Sequence, residues 1–64
     1  MDDDRFNMSM RKYLKQVGVT SQQAIEKAVE QKGLKGQGKL IVKAVITSEA
    51  AGLNHVVEGE IDLG

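Results

Sequence analysis

Gln16-Val17-Gly18-Val19-Thr20-Ser21-Gln22-Gln23 decides how this chain is read, because it joins two segments that each carry helical periodicity. A glycine after a helix fits the left-handed C′ position, and an apolar residue just beyond it, here Val19, can pack back on the last turn. Thr20 followed three residues later by Gln23 has the spacing of a capping box, and Val19 with Ala24 that of a weak hydrophobic staple. These local signals predict a helix, a tight break at Gly18 and a second helix beginning at Ser21.

Upstream, Phe6, Met10, Tyr13, Leu14 and Val17 fall at i, i+4, i+7, i+8 and i+11. A helix over about 3–17 would place all five on one stripe. Asp2, Asp3 and Asp4 precede or enter its first turn, where negative charge opposes the helix dipole, and Arg11, Lys12 and Lys15 lie toward the other end. Asn7 and Ser9 offer alternative N-caps, so the helix starts near residue 3 or near residue 8. Downstream, Ala24, Ile25, Ala28 and Val29 give a second helix over about 21–32 a narrow stripe, whose two alanines permit close approach by another element.

Residues 33–38 hold three glycines and predict an irregular linker. The run at 39–47, Lys-Leu-Ile-Val-Lys-Ala-Val-Ile-Thr, is rich in β-branched residues and bounded by turn formers, which predicts a strand. A second strand over 55–63 sets Val57, Gly59, Ile61 and Leu63 on one face and Val56, Glu58, Glu60 and Asp62 on the other. Antiparallel partners whose residue numbers sum to about 101 place Lys43 opposite Glu58, Lys39 opposite Asp62, Val45 opposite Val56 and Leu40 opposite Ile61. A sum of 103, with Lys43 opposite Glu60, satisfies the same chemistry, so two registers stay open. The expected fold is a single α+β domain in the order α-α-β-β. In it a helical hairpin packs on an antiparallel β-hairpin through Phe6, Leu14, Ile25, Val29, Leu40, Val42, Ile61 and Leu63.

Such a domain is under strain for want of a core. A chain of 64 residues buries only about 60% of the surface its unfolded form exposes. Without cysteine it has neither a disulfide framework nor a zinc-thiolate site to compensate. Ile41, Val45 and Val56 lie on the charged face of the hairpin, and a lone two-stranded sheet is marginal with both long edges unpaired. Either a third short strand from 48–54 covers an edge, or a second copy of the chain does. In the second case Ile41, Val45 and Val56 form the dimer surface.

Lys plus Arg and Asp plus Glu number nine each, so no net field attracts nucleic acid or an anionic membrane. No apolar run is long enough to span a bilayer, and the acidic start is wrong for a signal peptide, which makes the cytoplasm the expected compartment. A helix-turn-helix over 7–32 is the alternative to a protein-binding role. It would read DNA or RNA with Gln22, Gln23 and Lys27 on the second helix and hold phosphates with Arg11, Lys12 and Lys15. Glu26 and Glu30 share the surface of Gln22 and Gln23 and oppose that use.

No enzyme is expected, since nothing pairs a nucleophile with a base. His55 stands alone and cannot make an ordinary zinc site. Glu58, Glu60 and Asp62 form a carboxylate row that facing lysines explain without any chemistry. Gly33, Gly36 and Gly38 neither follow a strand nor open a helix, as a phosphate loop would require. No catalytic residue, cofactor or metal ligand is therefore assigned, and the expected role is a binding or assembly module, as a homodimer or with another protein partner.

The stretch Phe6-Asn7-Met8-Ser9-Met10-Arg11-Lys12-Tyr13-Leu14-Lys15-Gln16-Val17-Gly18-Val19-Thr20-Ser21-Gln22-Gln23-Ala24-Ile25-Glu26-Lys27-Ala28-Val29 resembles a family of short uncharacterised proteobacterial proteins, and so does His55-Val56-Val57-Glu58-Gly59-Glu60-Ile61-Asp62-Leu63. The resemblance implies a free-standing bacterial protein with a domain of unknown function. It carries over no site residue.

Overall fold

A computed structural model describes residues 3–64, so Met1 and the expected first-turn charge of Asp2 lie outside the described residues. The elements run in the order α-β-β: α1 spans Asp3–Lys32, β1 Lys39–Ser48 and β2 Leu53–Asp62. They fall into two compact units, Met1–Gly33 and Leu34–Gly64.

The first unit corrects the expected helical hairpin. α1 is one helix of 30 residues that runs through Gly18 without a break. Gly18 is absent from the residues with positive φ. It therefore sits in the helix interior, at a cost of about 1 kcal/mol relative to alanine. Two hydroxyls expected as N-caps, Thr20 for the second helix and Ser9 as an alternative for the first, turn the other way. The Thr20 hydroxyl donates to the Gln16 carbonyl at 2.8 Å, and Ser9, the alternative first cap, donates to the Phe6 carbonyl at 3.0 Å. Such bonds to the preceding turn belong to hydroxyl residues inside helices.

Continuity wins because the apolar stripe keeps its phase across the glycine. Phe6 and Ala24 stand eighteen residues apart, as do Met10 and Ala28, and eighteen residues are five turns at 3.6 residues per turn. Strong helix formers on both sides, Arg11, Lys12, Leu14, Lys15 and Gln16 before and Gln22, Gln23, Ala24, Glu26 and Lys27 after, offset one glycine. A break would also require a second costly nucleation. Asp3 and Asp4 occupy the first turn and Lys32 the last, each complementing the dipole. The real C′ residue is Gly33, whose φ of 62° is left-handed and whose N–H donates to the Glu30 carbonyl at 3.2 Å.

The second unit follows the expected hairpin closely. β1 and β2 form a two-stranded antiparallel sheet, with Lys39 opposite Asp62, Leu40 opposite Ile61, Lys43 opposite Glu58 and Val45 opposite Val56. That is the register with sum 101. Register and turn support each other: the last pair, Ser48 with Leu53, leaves four loop residues, and the Gly52 N–H closes a turn on the Glu49 carbonyl at 3.1 Å. The longer loop needed for sum 103 is not formed. Residues 49–52 are that turn, so no third strand arises between the two strands.

The glycine segment is irregular, as expected, but it is tied down. Gln37 donates to the Leu34 carbonyl at 3.1 Å, Gly36 donates to the Leu63 carbonyl, and Leu63 donates to the Gly38 carbonyl at 2.7 Å. The segment thus extends the hairpin's open end, and Gly36, with a φ of 79°, holds a conformation that disfavours a side chain.

Candidate functional site

The bulky half of the α1 stripe is open to solvent. Phe6 is 54% exposed, Met10 41%, Tyr13 51% and Leu14 47%, while Val17 is half-buried. Phe6 and Leu14 were expected to be buried in a core shared by the helical hairpin and the sheet; their exposure corrects that, and without a turn at Gly18 there is no second helix beside them either. The stripe continues through Ser21, Ala24 and Ala28, all exposed. Ile25, half-buried, and Val29, buried at 9%, lie along one flank of it. Val29 is the one buried hydrophobic residue among those described.

Burying a large apolar side chain contributes about 1.5–3 kcal/mol. With about half of each still exposed, covering Phe6, Met10, Tyr13 and Leu14 is worth on the order of 3–6 kcal/mol per helix. A helix of this kind draws most of its stability from packing of its apolar face.

The hairpin offers a second, smaller surface. Ile41, Val45 and Val56 are 66%, 53% and 50% exposed and share one face, where Val45 stands opposite Val56. The pair Lys43 and Glu58 separates Ile41 from these two valines, so the apolar patch is broken. On the same face Lys39 reaches Glu60 across the strands at 3.5 Å, with both side chains well exposed. In the row of carboxylates seen in the sequence, Glu58 stands opposite Lys43 and Asp62 opposite Lys39, while Glu60 stands opposite Ile41 and takes Lys39 as its diagonal ion partner. On the other face Leu40, Val42, Ile46 and Ile61 are half-buried, and His55 is exposed opposite Ile46. Among the described residues no group of three or more His, Cys, Asp or Glu side chains is arranged to hold a metal ion.

The helix-turn-helix residues are brought into a different arrangement. Arg11, Lys12, Lys15, Gln22, Gln23 and Lys27 all lie exposed on one continuous helix, with no turn to set one helix against another. The geometry that would insert a reading helix into a groove is therefore missing. Gln22 donates its side-chain amide to Glu26 Oε1 at 3.0 Å, an (i, i+4) pair that supports the helix. A hollow lined by Asp4, Arg5, Met8, Ser9 and Lys12 lies on the polar side of this same helix, and every lining residue comes from α1.

The model of a family of unknown function, DUF6494, matches residues 1–64. The chain belongs to DUF6494. As a DUF6494 member it joins a long amphipathic helix to a β-hairpin, an α+β arrangement. No curated protein and no solved structure matches it. Within this DUF6494 chain no described helix is long and apolar enough to cross a membrane. The continuity of the α1 stripe could have been found in the sequence, since the in-phase spacing of Phe6, Met10, Ala24 and Ala28 is visible there.

Proposed function

We propose that this DUF6494 chain is a non-enzymatic assembly module of the bacterial cytoplasm that associates with itself through protein contacts. One observation carries the reading: Phe6, Met10, Tyr13 and Leu14 stand on a single helix stripe, each between 41% and 54% exposed. Contiguous apolar surface of this kind marks an interaction site rather than ordinary scattered exposure. Ile41, Val45 and Val56 form a lesser surface, broken by charge, and are a secondary contact in this reading.

Sedimentation equilibrium across the micromolar range tests the reading. A mass of two chains, falling toward one on dilution, supports self-association. A mass that stays at 7.0 kDa throughout rejects it.

A further inference from the structure

Along the α1 stripe, size is distributed unevenly. Phe6, Met10, Tyr13, Leu14 and Val17 fill the half before Gly18, and Ser21, Ala24 and Ala28 fill the half after it. From Phe6 to Ala28 the stripe runs about 33 Å. We propose that a second copy of the chain covers it, the two α1 helices pairing antiparallel about a two-fold axis midway between Val17 and Ser21. This rests on the self-association proposed above and names its geometry.

In that pairing Met10 of one copy faces Ala28 of the other, Leu14 faces Ala24, and Val17 faces Ser21, so these three bulky residues each meet a small one, while Tyr13 comes level with Ile25 and Phe6 with the stem of Lys32 at the ends of α1. Interdigitation of large with small is what close helix packing requires. A parallel pair would set Leu14 against Leu14 and Ala24 against Ala24, overfilling one half and leaving a gap in the other. Charge favours the same direction. Antiparallel pairing brings Asp3 and Asp4 of the acidic first turn beside Lys32 of the basic last turn, whereas parallel pairing sets like against like. Val17 and Ser21, on the stripe to either side of the axis, lie at the crossing. The interface is isologous, as a two-fold dimer demands, and it closes on itself without forming a filament.

The chain has no cysteine, so introduced thiols report unambiguously. Full-length M10C and A28C proteins are mixed in equal amounts and oxidised. Antiparallel pairing gives the mixed disulfide in about tenfold excess over either homodisulfide, because only that pair reaches bonding distance. Homodisulfides in excess, or the statistical mixture, overturn the pairing. Sedimentation of the same reduced proteins separates the two layers of the proposal. A dimer mass with the wrong disulfide pattern removes this geometry and leaves self-association standing, and a monomer mass removes both.

A24L supplies a second arm that does not depend on thiols. Leucine is a good helix former, so helicity by circular dichroism stays unchanged. The added bulk facing Leu14 of the other copy weakens the dimer about tenfold. An unchanged or tighter dimer overturns the pairing, since greater surface apolarity alone would strengthen unspecific association.

Discussion

The Thr20 hydroxyl lies 2.8 Å from the Gln16 carbonyl, one turn earlier in the same helix. A capping threonine instead accepts from main-chain N–H groups ahead of it, from a non-helical backbone. That single bond places Thr20 inside α1 and makes the break expected at Gly18 a continuous turn.

Gly18→Ala follows directly. Gly18 has no left-handed φ, and a Cβ there meets nothing within 4 Å. The substitution should stabilise the protein by about 0.5–1 kcal/mol and raise helicity. Thermal unfolding by circular dichroism checks it; a turn at this position would make the same change destabilising.

Thr20→Ala should be nearly neutral, within about 0.5 kcal/mol, because an exposed hydroxyl bonded to the preceding turn adds little to a helix. Loss of a true N-cap would cost about 1 kcal/mol. Urea titration distinguishes the two values.

At Gly33 and Gly36 the sign reverses. Both hold left-handed backbone, at 62° and 79°, and alanine there should cost about 1–2 kcal/mol. Paired with Gly18→Ala, these variants give a set in which one alanine stabilises and two destabilise. Equal signs across the three would contradict the backbone geometry.

Lys39 and Glu60 form an exposed pair at 3.5 Å, so a double-mutant cycle should give a coupling of at most about 0.5 kcal/mol. Raising the salt to about 1 M should remove it. A larger, salt-resistant coupling would mean that the pair is covered in solution.

Inserting one alanine after Gly18 turns the two halves of the stripe by about 100° relative to each other while leaving the helix intact. Self-association should fall although helicity holds. An insertion that leaves the dimer unaffected would show that the two halves of the stripe do not act together.

The hairpin was more legible than the helix, for a physical reason. Alternating charged and apolar residues narrowed the strands to two alignments, with sums 101 and 103, and the Glu49 to Gly52 turn selects the first. The helix break rested on Gly18, Thr20 and Gln23, short-range features that suit a cap or a helix interior equally well. The deciding feature, the common phase of Phe6 with Ala24 and of Met10 with Ala28, acts over five turns and is lost when each half is read alone. The exposure of Phe6 and Leu14 was hidden too, since an apolar stripe has the same spacing whether it is buried or open to solvent.

The four-residue loop between Ser48 and Leu53 has a kinetic consequence. Hairpins with so short a closure form within about 1–10 μs, and a single helix relaxes in about 0.1–1 μs. Neither element waits on a distant part of the chain. If two copies must meet to cover α1, the slow step in reaching the working state is collision between molecules, and its rate should scale with protein concentration rather than with any property of one chain.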